Sequence, residues 1–277
     1  MNPTDAVYIA LKESAHESHR EFLEGLWQEF EPLADSGFID LIARNFQQRF
    51  WEMYVACTLK KQGLSLESAD EGPDLKVTNL ELTTWVEAIA PNSGSGDDAV
   101  SSGVIDGVAG VDEEGIILRL TGAIAEKHNK YLGYLKNGIV EETEPYVIAV
   151  NGYNIPTSET DDWPYYIMKA VYALGNQGGL INTESGEIEY EEIQRKPTIT
   201  KSSGSSVSTN IFEDEAYKGI SAIIYSRSNG GNGPIELGTD FKILINPIAS
   251  NPIDTNWLEV GKTIIANKTH IKLPICR

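Results

Sequence analysis

The nine residues from Leu82 to Ala90 restrict this chain more than any other stretch of it. From Trp85 onward they read Trp-Val-Glu-Ala-Ile-Ala, an apolar run broken only by Glu87. A strand with one wet face alternates apolar and polar residues, whereas a strand covered on both faces is apolar throughout. The run therefore predicts a strand covered on both sides. A lone charge in such a strand is costly, so something in the fold must meet Glu87.

The neighbouring sequence supplies the frame. Leu64 to Ser68, Asp74 to Thr78 and Leu82 to Ala90 have strand character, and the tight connection Asn79-Leu80-Glu81 joins the last two into a hairpin. Before them, apolar residues recur at three-to-four spacing through Phe22, Leu23, Leu26, Trp27 and Phe30, then through Phe46, Phe50, Met53, Tyr54 and Cys57. That period predicts helices over the first 63 residues, with Gly63 as the stop of the second. Pro91 to Gly115 is rich in Gly, Ser and Asp and reads as a long loop. After the apolar Ile116 to Leu118, Thr121 to Lys136 has helical spacing and ends at Asn137-Gly138. Pro145 to Val150 reads as a buried strand and Trp163 to Leu174 as a helix. A polar, Gly-rich stretch follows until Gly219, then the β-rich runs Ile220 to Tyr225 and Phe241 to Ile245. Helix, strands, helix, strand is the order of an α/β core with a mixed sheet, and 277 residues with 41% hydrophobic content can bury one.

The hairpin gives the first functional expectation. Asp74 follows Pro73 at a strand start, and paired strands would bring it to Glu87. Two carboxylates at one point in low dielectric repel unless a cation or a proton intervenes, which makes the pair a metal-site candidate. Glu52 lies on the preceding helix with Val55, Ala56 and Leu59 on its face, and is the candidate third acid. Each of these acids alone reads as a surface or capping residue; together they point to a shared site.

Charge limits the ligands. There are 22 basic and 41 acidic residues, a formal net charge of −19, and phosphate binding is driven by Lys and Arg. The excess is local. Eleven carboxylates stand against Lys169 alone between Asn137 and Glu192, whereas Arg119, Lys127, Lys130 and Lys136 face only Glu126, and Arg195, Lys196 and Lys201 stand in a stretch without acids from Gln194 to Ile211. Two cysteines, Cys57 and Cys276, form no ligand spacing, and no apolar run is long enough to span a bilayer, so a cytoplasmic location with no membrane partner is expected. His16 and His19 lack zinc-protease spacing. No P-loop, dinucleotide fingerprint or serine-hydrolase elbow occurs.

The segments RFWEMYVACTLKKQG, GPDLKV and WVEAIAP, followed by RLTGAIAEKHNKYLGYLKNG, YVIAVNG, ISAIIYS and INPIASNP, resemble a bacterial family related to the PD-(D/E)XK, restriction-endonuclease-like nucleases. The likeness covers most of residues 45 to 253. It implies an N-terminal helical extension over residues 1–44 and a restriction-endonuclease-like α/β domain over 45–277 with a C-terminal β-rich elaboration. It also implies Mg²⁺ or Mn²⁺ held by Asp74, Glu87, the carbonyl of Ala88 and Glu52, directly or through water, and hydrolysis of phosphodiester bonds in DNA or RNA. The motif lysine is absent: two residues beyond Glu87 stands Ile89. Lys127 is the expected replacement on the helix after the sheet, with Lys130 one turn further; a solvated helix-face lysine is the competing reading. The expected partners are a nucleic-acid substrate and, as an option, a second copy of the chain. The alternative is a catalytically inactive protein that keeps the fold for binding or assembly.

Overall fold

The computed structural model describes residues 4–13, 17–68, 71–79, 82–101, 104–105, 108–181, 183, 185–186, 188–266 and 271–272. Four helices open the chain: α1 (Ala6–Glu13), α2 (Glu17–Phe30), α3 (Phe38–Ile42) and α4 (Phe46–Lys61). The main sheet is built from β1 (Ser65–Glu67), β2 (Leu75–Asn79), β3 (Leu82–Ile89), β4 (Tyr146–Asn151), β5 (Ile220–Ser226), β6 (Lys242–Ile245), β7 (Lys262–Ala266) and β8 (Ile271–Lys272). These eight strands lie side by side in chain order. The sheet is mixed: β3, β4 and β5 run parallel, and β1–β2, β2–β3 and β5–β6 pair antiparallel. The long helix α5 (Glu113–Lys136) makes the crossover from β3 to β4, and α6 (Tyr166–Tyr172) lies in the connection from β4 to β5.

The apolar run does what its composition demands. Val86 and Ala88 enter the core under α4 with Val147, Ala149 and Ile224, while Trp85 and Ile89 enter the opposite core under α5 with Ile148, Val150 and Ile223. Successive residues therefore face opposite layers, and Glu87 shares the α5 face with Trp85 and Ile89. Helices α2 and α3 add to the α4 layer through Leu26, Phe30 and Phe38, which stacks on Trp27 at 5.8 Å between ring centroids, and α1 through the partly buried Val7, Tyr8 and Leu11.

Two stretches differ from their sequence reading. The helix expected from Thr121 begins at Glu113, so the loop after β3 is shorter than predicted. The start is set by Asp112, whose carboxylate accepts the Gly115 N–H at 2.9 Å. A Cβ on Gly115 would stand 2.2 Å from that carboxylate, so the glycine that reads as loop composition is what permits the cap. The Gly-rich stretch after α6 forms two antiparallel hairpins outside the main sheet, Leu174–Ile181 with Ile188–Arg195 and Thr198–Thr200 with Ser206–Ser208. The strand Leu174–Ile181 carries three glycines and a single β-branched residue, so local propensity does not announce it.

Candidate functional site

The hairpin register places the two sequence-paired acids together. Leu75 is opposite Val86 in the β2–β3 ladder, and the next step back brings Asp74 opposite Glu87. Here β2 stops while β3 continues, which exposes the β3 backbone on that side. Side chains complete the ladder. The Asp74 Oδ2 accepts the Ala88 N–H at 2.6 Å, and Gln48 on α4 accepts the Ala90 N–H at 2.8 Å while donating to the Ala88 carbonyl at 3.1 Å. The amide of Gln48 thus acts as a short extra strand, leaving neither N–H unsatisfied.

Glu87 meets its partners on the other face. Its side chain is 1% exposed, and Oε1 accepts from Lys127 Nζ at 2.6 Å and from Lys130 Nζ at 3.1 Å. The Tyr134 hydroxyl reaches Oε2 at 3.4 Å. Lys127 occupies the inward stripe of α5 with Leu120, Ile124 and Tyr131, and is itself buried. An ammonium on such a stripe would be expensive without a counter-charge, and Glu87 supplies it. The reading of Lys127 as a solvated helix-face lysine is thereby excluded. Lys130 sits further out; burial works against its charged form, but the Glu87 carboxylate outweighs that and raises its pKa.

Glu52 approaches from the α4 layer. Its oxygens take hydrogen bonds from Gln48 at 2.9 Å and from Arg49 at 2.6 Å. Burial, reinforced by the charge of Asp74, lifts its pKa to about 7. Asp74 is lifted to about 6, again first by burial and then by Glu87. The three acids therefore sense one another across the edge of β3. Arg49, Lys127 and Lys130 balance them in formal charge.

These are hard oxygen donors of the kind that divalent cations prefer, and the Ala88 carbonyl lies among them. Among the described residues, no three His, Cys, Asp or Glu side chains form a ready-made ligand set. The reason is visible at Glu87, whose oxygens turn toward α5 and are held by ammonium groups. A cation bound between Asp74 and Ala88 would share Glu87 with Lys127 rather than own it.

Gln48, Arg49 and Tyr134 are the site residues that sequence reasoning missed. Their signal is faint but real: Gln48 and Arg49 precede Glu52 by four and three positions, and Tyr134 follows Lys130 by four, so each lies on the helix face of a chosen residue. Arg195 and Lys196 do not reach this site as free charges, since Arg195 is held by Glu213 at 2.7 Å and Lys196 by Glu114 at 2.6 Å. Among the described residues no helix is long and apolar enough to cross a membrane. No family model, curated protein or solved structure matches this chain.

Proposed function

We propose that the chain is a divalent-metal-dependent nuclease with a restriction-endonuclease-like core, acting on DNA or RNA. The observation that carries this reading is the buried Lys127 ammonium, 2.6 Å from Glu87 at the point where Asp74 crosses the end of β3. The fold supports it through its order of helix, antiparallel hairpin, long helix and parallel strand. The lysine missing beside Glu87 in sequence is returned in space by α5, to the strand face that Ile89 shares but cannot serve chemically.

The donor set fits Mg²⁺ or Mn²⁺: the pKa values of Asp74 and Glu52 are raised first by burial and then by a neighbouring carboxylate, and a cation would relieve that second cause. When bound, such an ion polarises a phosphoryl oxygen and lowers the pKa of water. Asp74, Glu87, the Ala88 carbonyl and Glu52 would hold it. Lys127, held beside Glu87 at 2.6 Å, would meet the negative charge that develops on phosphate. Gln48 and Asp74 fix the backbone of Ala88, and Arg49 orients Glu52.

A second reading is favoured by the charge balance. Because Arg49, Lys127 and Lys130 already compensate the acids, the cluster is self-sufficient and could be a retained structural core of a binding or assembly protein. A cleavage assay on single- and double-stranded DNA and RNA, with Mg²⁺, Mn²⁺ or EDTA, separates the two. Metal-dependent cleavage that disappears in Asp74→Asn supports the nuclease. Absence of cleavage in every arm, or cleavage equal in wild type and Asp74→Asn, rejects it.

A further inference from the structure

Beyond the end of β3 the chain enters the segment Asn92-Ser93-Gly94-Ser95-Gly96, and against it lies Arg119 of α5. The two enclose a polar cleft of about 410 Å³, lined by Asn92, Ser95, Asp98, Arg119 and Lys201. The cleft is built. The Arg119 Nε–H donates to the Asn92 carbonyl at 2.9 Å, and the Gly94 N–H donates to the Asn92 Oδ1 at 3.0 Å. Gly94 has φ +90°, and a Cβ there would meet the guanidinium at 3.2 Å, so only glycine lets Arg119 lie across the loop in this way. On the far side, Asp98 accepts the Ser202 N–H at 2.7 Å and ties the Lys201 segment to the same loop.

The charge is what gives this cleft a ligand. Among the described residues no carboxylate comes within ion-pair distance of Arg119 or Lys201, although Arg195 and Lys196 nearby in sequence are both paired. Two cations face one acid, Asp98, which also accepts the Ser202 N–H, so the lining is net positive in a chain of net charge −19. The site also has a fixed relation to the carboxylates. Arg119 precedes Lys127 by eight helical residues, about 12 Å along the axis at 1.5 Å each.

We propose that this cleft binds a backbone phosphate of a nucleic-acid strand that also reaches the Asp74–Glu87 site, with Arg119 and Lys201 as its cations. The proposal rests on the nuclease reading for its substrate class, but it can be tested without catalysis. Fluorescence anisotropy with labelled single-stranded DNA and RNA 20-mers in EDTA, over a salt series, measures binding alone. Arg119→Ala/Lys201→Ala is expected to raise Kd about tenfold and to lower the slope of log K against log salt by about one per cation removed. The charge-matched control Lys12→Ala/Lys218→Ala should leave both unchanged. Lys201 is exposed, so Lys201→Ala alone keeps the test available if the double variant folds poorly. AMP as competitor separates a strand site from a free-nucleotide site.

Unchanged binding in the Arg119 and Lys201 variants, no binding of either strand to wild type at low salt, or AMP binding as tightly as the 20-mers would each overturn the proposal. Its failure is distinguishable from that of the nuclease reading. Cleavage that survives in a protein whose binding ignores Arg119 and Lys201 sinks only the cleft. Binding that depends on them in a protein without metal-dependent cleavage sinks only the catalysis.

Discussion

Lys127 and Glu87 form a buried ion pair between α5 and β3, 2.6 Å apart, with side chains 7% and 1% exposed. Each residue supplies a counter-charge that the other needs in its buried place, and the pair couples the crossover helix to the strand that carries the candidate site.

Removing the lysine should therefore affect activity and stability together. If the protein is a nuclease, Lys127→Ala should lower metal-dependent cleavage by about two to three orders of magnitude, the usual cost of one preorganised donor. It should also destabilise the fold by up to about 3 kcal/mol, because it strands a buried carboxylate, with Lys130 at 3.1 Å softening the loss. The double variant Glu87→Gln/Lys127→Ala should recover part of that stability and none of the activity. Denaturant titrations of the three proteins check this; a double variant no more stable than Lys127→Ala would show that the pair is not the source of the loss.

Glu52 and Asp74 make a prediction about pH. Their pKa values rise on folding from 4.5 to about 7 and from 3.8 to about 6. The native state thus holds more protons than the unfolded chain across this window, and their contribution to stability falls as pH rises through it, levelling off above about pH 7. Glu52→Gln should gain stability relative to wild type at pH 8 and little at pH 4, measured without divalent metal. An equal difference at both pH values would contradict the raised pKa.

Metal binding should carry the same signature. Because ligating carboxylates must lose their protons, Mn²⁺ affinity should increase between pH 6 and pH 7.5 with proton release, seen by calorimetry in buffers of different ionisation enthalpy. Asp74→Asn keeps an acceptor for the Ala88 N–H while removing charge, so it should abolish this binding and raise the melting temperature of the metal-free protein. A variant that melts below wild type would mean that the Asp74 charge stabilises the site.

Gln48 is predicted to act through the backbone. Gln48→Ala removes its bonds to the Ala88 carbonyl and the Ala90 N–H, and should cost about 1–3 kcal/mol through the stranded N–H. Amide exchange at Ala90 should quicken with little change on β4. Exchange at Ala90 that does not change would show that the amide is protected by other means.

Much of this architecture is legible in the sequence, because it depends on local period and on the cost of buried charge. The three-to-four spacing before Gly63 marks α4, the strand pair around Asn79 to Glu81 marks the hairpin, and the register that joins Asp74 to Glu87 follows from that hairpin. The apolar run around Glu87 requires two covering layers and a partner for one carboxylate, and both are present. What only the tertiary structure decided is non-local. Lys127 could have pointed to solvent; the rotation of α5 on the sheet buries it, and that rotation is set by Leu120, Ile124 and Tyr131 packing on residues far away in sequence. Gln48 looks like an ordinary polar residue until β2 ends before β3 and leaves an edge to complete, and Arg49 until Glu52 is buried beside it. The early start of α5 is by contrast local, hanging on one cap at Asp112 that a Gly-containing first turn disguises, whereas the Gly-rich strand Leu174–Ile181 pairs with Ile188–Arg195 although local propensity does not encode it.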